Sequence, residues 1–342
     1  MFNYKHYVPV LRWKRAESVA LRELDPNICH LITPLIEIPS AKFANIKKED
    51  IRQAIEKICN NMHLSWENRH FFLDVGHLIP AKQTIAEKII KKICGCIKYA
   101  IPVINLHYPE SIITLISSIN TQNSSGICLR LKKDDTLLAD DIKKILKSTG
   151  ISCADIDLIV DLEMIDKKHP SFLTICSHIP YLSQWRTFTI ISGSFPQYLT
   201  GIQPGQHKFG RKDWLTWQQE ILNNQLARKP SFGDYTIQYP YYIEPPPAPN
   251  ATASIRYAAS KYWVIMRGES LKKKGCKQWI AQAVLLSERP EFCGQDFSYG
   301  DRYIFERGQL RDKTGSLETW LRAGINHHLT FAAHQISNFS AS

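Results

Sequence analysis

Short β-branched and aromatic runs alternate along the chain with longer stretches whose apolar residues recur every three or four positions. This alternation predicts parallel βα units. The apolar runs are YVPVLRW (7–13), HLITPLIEI (30–38), HFFLDVG (70–76), AIPVINLH (100–107), GICLRL (126–131), DIDLIVDLE (155–163), RTFTIIS (186–192) and DYTIQYP (234–240). Between them, 48–62, 81–95, 139–150 and 213–224 carry helical spacing. In the second of these, Ile85, Ile89, Ile90 and Ile93 share one face while Lys82, Lys88, Lys91 and Lys92 lie elsewhere, as a helix covering a sheet requires. Gly95 and Gly150 are suitable helix stops.

Eight strands in units of this length predict a (β/α)8, TIM-barrel-like fold rather than an open doubly wound sheet. The eighth helix comes late, at SLETWLRAGINHHLTFAAHQIS (316–337), with Ser316 as its N-cap and Gly324 as a weak point in its middle. The expected organisation is therefore a barrel over 1–240 plus 316–342. An insertion over 241–315 separates strand 8 from helix 8 and opens with the stiff linker IEPPPAPN. Inside it, SIRYAA and KYWVIMRG form a hairpin or small sheet, CKQWIAQAVLLSE a helix, and PEFCGQDFSYGDRY a loop-rich segment.

A chain of 342 residues that is 44% hydrophobic has material for a large core, and composition alone leaves two domains or one barrel open. Lys and Arg number 43 against 32 Asp and Glu, a formal charge of +11, which favours anionic partners such as nucleotides or nucleic acid. The nine cysteines form no CxxC pair and no zinc-spaced quartet, so they read as small buried residues of a reducing compartment. The N-terminal segment lacks a secretory core and no apolar run reaches 18 residues, so the expected location is the cytoplasm.

Polar residues gather at the distal ends of the strands, where barrels keep their chemistry: Arg12, Lys14, Glu37, Asp74, His77, Asn105, His107, Arg130, Asp161, Glu163, Ser192 and Ser194. Residues two apart on a strand share a face, which pairs Asp161 with Glu163, Asn105 with His107, and Arg12 with Lys14. One chemistry this permits is a metal-dependent phosphodiesterase or nuclease. Glu37, Asp74, Asp161 and Glu163 would hold Mg2+ or another divalent cation, and His77 or His107 would move the proton. Arg12 and Arg130 would grip phosphate, with Ser192, Gly193 and Ser194 presenting backbone N–H groups to it. The competing possibilities are a mouth that binds an anionic ligand through Arg12, Lys14 and Arg130 without chemistry, and a buried ion-pair network with no ligand. A metal enzyme needs three of the carboxylates on one open point; a network gives each of them a cation.

In the insertion, Arg256, Lys261 and Arg267 interleave with Tyr257, Tyr262 and Trp263 ahead of LKKKGCK, which suits nucleic acid. A small satellite core with a solvated lysine face gives the same pattern. Asn326, His327, His328 and His334 in the last helix lack zinc spacing and suit hydrogen-bonded packing. No GxSxG elbow and no GxxxxGK[ST] loop occurs. A protein partner is the remaining class, and it calls for an exposed apolar patch.

YVPVLRWKRAE, LITPLIEI, FFLDVG, PSFGDYTIQYP, SIRYAASKYWVIMRG and WLRAGINHHLTF together make the chain resemble the phage protein beta family of phages, prophages and bacterial mobile elements. The resemblance runs from about residue 4 to the C-terminus. It implies a bacterial cytoplasmic protein linked to phage–host conflict, carries over no reaction, and draws attention to Arg12, Lys14, Asp74, Asp234, Arg256, Asn326 and His327.

Overall fold

Eight parallel strands close into a barrel in the computed structural model, which describes residues 2–165, 169–223, 225–242, 251–310 and 313–340. In order around the barrel they are β1 (Tyr7–Arg12), β2 (Leu35–Glu37), β3 (Phe71–Asp74), β4 (Ala100–Ile104), β5 (Ile127–Lys132), β6 (Ile156–Met164), β7 (Thr187–Gly193) and β9 (Ser231–Asp234). A separate three-stranded antiparallel sheet is built from β8 (Gly205–Gly210), β10 (Thr252–Ala258) and β11 (Tyr262–Ser270). The helices are α1 (Arg15–Arg22), α2 (Ile51–Trp66), α3 (Ile79–Cys96), α4 (Glu110–Asn123), α5 (Ala139–Thr149), α6 (Phe172–His178), α7 (Lys212–Leu222), α8 (Leu271–Lys274), α9 (Gln278–Ser287), α10 (Tyr299–Gln309) and α11 (Leu317–Ser337).

The period of two along each strand divides the core. Val8, Val10, Leu35, Phe72, Ile101, Val103, Cys128, Ile159 and Ile191 fill the barrel, while their neighbours in sequence pack under the helices. Gly233 belongs to the filled layer: a Cβ there would meet Ile191 Cγ1 at 2.5 Å and the Val8 carbonyl at 2.7 Å. Continuing five of these inward rows by two residues reaches Arg12, Glu37, Asp74, Arg130 and Asp161, so a charged layer stands directly on an apolar one.

The eighth barrel strand is Ser231–Asp234, not 234–240. DYTIQYP alternates like a strand, yet after Asp234 the chain turns, with Thr236 at φ 56° and its N–H bonded to Asp234 Oδ1. The small sheet takes its third strand from Gly205–Gly210, ahead of α7, so the sheet does not follow the boundary drawn at 241. The loop-rich reading of PEFCGQDFSYGDRY fails at its end, where α10 begins: Ser298 Oγ caps Asp301 N–H, and Gly300 lets the helix approach α11. α1, α4 and α6 carried no clear signal, because α1 and α6 are short and α4 is rich in β-branched residues. Ser316 caps α11 in a reciprocal box with Thr319. Of the nine cysteines, Cys96 and Cys276 are exposed rather than buried. The linker IEPPPAPN and Asp166 lie outside the described residues.

Candidate functional site

The strand register sets the top layer of the barrel. Arg12 stands beside Glu37 and Glu37 beside Asp74 on neighbouring strands, and Lys132 beside Asp161. Arg130 reaches across the middle: its Nη1 donates to Glu37 Oε1 at 2.8 Å and to Asp74 Oδ2 at 2.6 Å. Its Nη2 donates to Asp161 Oδ2 at 2.6 Å and to the Tyr235 hydroxyl at 3.1 Å. Lys132 Nζ joins Asp161 Oδ2 at 2.8 Å and Glu163 Oε1 at 2.7 Å. Asp161 and Glu163 thus meet on one lysine, but through a bulge that puts Glu163 at φ 55°, rather than on a regular strand face. Tyr108 donates to Asp74 Oδ1 at 3.0 Å, and His77 Nε2 lies 3.3 Å from Glu37 Oε2.

Burial would raise the carboxyl of Asp161, but Arg130 and Lys132, with hydrogen bonds from Lys132 and Tyr235, hold it down at about 2. Burial likewise works against ionised Glu37, and Arg130 with His77 and Arg12 keeps it well below the carboxylate range. Arg130 is lifted well above its usual value, because Asp161, Tyr235, Glu37 and Asp74 outweigh the burial of its charge. All four predicted metal-site carboxylates are therefore bonded to cations of the chain. Among the described residues, no group of three or more His, Cys, Asp and Glu is arranged to hold a metal ion.

The segment after β9 crosses this layer. Arg12 Nη2 donates to the Tyr239 and Pro240 carbonyls at 2.8 and 2.5 Å, and Tyr242 lies over Arg12, Lys14 and His77. Gly193 admits the crossing, since a Cβ would meet Pro240 Cγ at 2.5 Å. Ser194 Oγ donates to Asp213 Oδ1 at 3.0 Å, and Ser192 is buried. His107 stands on the outer rim, its Nε2 2.8 Å from Asp135 Oδ1 and its side chain 68% exposed.

The three insertion cations do not form one accessible stripe. Arg256 turns toward the barrel, where it donates to the Ile237 carbonyl at 2.9 Å and covers Phe195; burial, then Arg267, pull it down to about 10. Arg267 is bonded to Thr252 and to Ser254 within the sheet, and only Lys261 is exposed.

A different cationic surface lies on the flank of the barrel. A groove of about 720 Å³ between α1 and α2 is lined by Lys14, Arg15, Arg22, Lys42 and Lys57, with Ser18 and Asn61 among its walls and Trp13, Val19 and Ile58 in its floor. No carboxylate lines it. Of its cations only Arg22 is ion-paired among the described residues, with Glu23 at 3.3 Å. Lys14 was legible as a strand-end cation. Arg15, Lys42 and Lys57 were not, because they come from three separate segments and no local spacing unites them.

Asn326, His327 and His328 are fully buried and tie α11 in three directions. Asn326 Nδ2 donates to the Ala20 and Glu23 carbonyls at 2.9 and 3.1 Å, while its Oδ1 accepts the Gly300 N–H at 2.9 Å. His327 Nδ1 lies 2.8 Å from Asp301 Oδ2 and its Nε2 2.9 Å from the Ala258 carbonyl, so the ring bridges α10 and β10. His328 bonds Asp234 Oδ2 at 2.7 Å, and Tyr7 donates to the other oxygen at 2.6 Å.

Two solved structures are similar to the chain at low identity. One is type I 3-dehydroquinate dehydratase from Clostridium difficile, at TM-score 0.41 and 8% identity, covering 70% of this chain and 87% of that one. The other is D-psicose 3-epimerase from Clostridium cellulolyticum H10, at TM-score 0.33 and 9% identity, covering 71% and 87%. No curated protein matches the chain, and no helix among the described residues is long and apolar enough to cross a membrane. The model of the family described as Beta protein matches residues 7–334, which take in the whole barrel and the small sheet, and the chain belongs to the Beta protein family.

Proposed function

We propose that the protein binds a phosphate-bearing anion in the groove between α1 and α2, opening at the carboxyl rim of the barrel beside Lys14, and does so in the bacterial cytoplasm in the setting of phage–host conflict. The observation that carries the binding is the groove itself, with five basic side chains and no carboxylate in its lining. The setting rests on the chain's place in the Beta protein family and on the phage and mobile-element context that the resemblance implies. Arg12 and Arg130, the first candidates for gripping the ligand, are engaged with backbone carbonyls and carboxylates of the chain itself. The same engagement weighs against a metal-dependent phosphodiesterase, since a divalent ion would have to displace a guanidinium from its carboxylates.

Thermal unfolding with inorganic tripolyphosphate tests this, because a ligand of the native state raises the melting temperature by mass action. The expected result is a rise at low salt that is lost in Lys14→Gln with Lys57→Gln. No rise, or a rise with Mg2+ or Mn2+ alone that Asp161→Asn abolishes, overturns it.

A further inference from the structure

The cationic surface does not stop at the first groove. On the other side of α2, between α2 and α3, a second groove of about 350 Å³ is lined by Lys48, Arg52, Lys88 and Lys92, with Glu56 among them and Ile51 and Ile55 in its floor. Glu56 is already taken by Arg52 at 3.2 Å, and Lys48, Lys88 and Lys92 form no ion pair among the described residues. Glu49 and Asp50 are exposed next to Lys48 in sequence and do not line the groove. Helix α2 is thus a ridge with a basic trough on each flank, and its crest presents exposed Arg52, Gln53, Lys57 and Asn60, with the exposed Leu64 one turn further on.

A small anion needs one such trough. Two troughs flanking one helix lie roughly 10 Å apart, the spacing of packed helices, and the major groove of a duplex is about 12 Å wide between its phosphate backbones. Proteins that grip single strands add exposed aromatic rings for the bases to stack on. Among the described residues, Trp13 is the one aromatic in the lining of either trough and it is buried, while the half-buried Tyr242 stands over Lys14 at the rim of the first. What the surface offers is positive charge on two lines and polar side chains between them, which suits phosphate backbones and not unstacked bases.

Resting on the anion-binding reading above, we infer that the ligand is a nucleic-acid duplex held by its phosphates, with α2 facing a groove and one backbone in each trough. Lys14, Arg15, Lys42 and Lys57 track one strand, and Lys48, Lys88 and Lys92 the other. Contacts of this kind are indifferent to sequence and sensitive to salt.

The test is fluorescence anisotropy of the full chain with labelled 20-base-pair DNA and RNA duplexes and a 20-nucleotide single strand, between 50 and 200 mM salt. Two variants are compared: Lys14→Gln with Lys57→Gln in the first trough, and Lys88→Gln with Lys92→Gln in the second. Each should weaken duplex binding about tenfold and flatten the salt dependence by about two phosphate contacts. Their unchanged melting temperatures would show that the surface alone was altered. Full duplex affinity in the second-trough variant, with tripolyphosphate still dependent on the first, overturns the duplex inference and leaves the anion reading standing. Tighter binding of the single strand than of either duplex also overturns it. If neither duplex nor tripolyphosphate binds at 50 mM salt, both fall. Preference between the DNA and RNA duplexes identifies which helical form fits the two troughs.

Discussion

Arg130 and Asp161 meet twice at one oxygen: Nη2 and Nε of the guanidinium donate to Asp161 Oδ2 at 2.6 and 3.1 Å, with both side chains buried. Two more carboxylates, Glu37 and Asp74, hold the remaining edge of the same guanidinium. The charged layer is stable because its cation lies at the centre and its anions on the walls. None of these charges would be tolerated alone above the apolar plug of the barrel.

Removing the central cation should therefore be far worse than removing the layer. Arg130→Met leaves three buried carboxylates without their partner and should cost about 3–5 kcal/mol in urea denaturation. Adding Glu37→Gln, Asp74→Asn and Asp161→Asn to it should recover most of that loss. If Arg130→Met alone is as stable as the wild type, the layer is not coupled through Arg130.

The same layer sets an acid limit. Asp161 is held at about 2 in the folded protein and titrates near 4 when unfolded. Its folded pKa is depressed, so its contribution is fully present above the unfolded pKa and is lost as the pH falls from about 4 towards 2. Glu37 shifts in the same direction and adds to the loss. Denaturation followed across pH 2–6 should show stability falling steeply below about 4, with Asp161→Asn less steep by roughly 2 kcal/mol over that span. A slope unchanged by the substitution would place the acid sensitivity elsewhere.

The barrel was legible because the period of two and the strand ends are local signals. YVPVLR shows its inward row as Val8, Val10 and Arg12 before any partner is known. What a single strand does not reveal is the partner across the barrel: Glu37, Asp74 and Asp161 come from three strands and are ordered by Arg130 on a fourth. Tyr235 and Lys132, which complete the layer, follow their strands' main apolar runs or end them, and so gave no signal of their own. The eighth strand was misplaced for a related reason. SFGD is small and flat because Gly233 must clear Ile191 and the Val8 carbonyl, whereas DYTIQYP looks like a strand and serves as a cover. The flank grooves were illegible because helix-borne lysines are ordinarily solvated, and only the packing of α1, α2 and α3 side by side collects them.

Asn326 should prove indispensable to the junction between barrel and insertion. Asn326→Ala strands two carbonyls of α1 and its following turn together with the Gly300 N–H, and should cost about 3 kcal/mol. Asn326→Asp should rescue little, since a carboxylate can accept from Gly300 but repels the Ala20 and Glu23 carbonyls. Urea denaturation of the two variants decides this, and a fully stable Asn326→Asp would mean the two carbonyl contacts contribute nothing.

Gly324 sets helix propensity against packing. In a free helix Gly324→Ala would gain about 1 kcal/mol. Here a Cβ would lie 2.7 Å from the Arg256 carbonyl of β10 and 2.7 Å from Ile237 Cδ1. The isoleucine can rotate, but the carbonyl is fixed by the pairing of Arg256 with Ile265 in the small sheet. One residue away, the Ala323 carbonyl lies 2.1 Å from where a Cβ on Gly300 would stand, so α10 closes on α11 there and leaves it little room to retreat. Overpacking at such a site costs about 1–3 kcal/mol, and the gain in propensity offsets only part of it. Gly324→Ala should thus lower stability by about 1 kcal/mol, and adding Ile237→Val should not restore it, because the obstructing atom is backbone. A rise in melting temperature on Gly324→Ala would show that β10 and α11 yield to each other, and that the small sheet is docked less tightly on the barrel than these distances require.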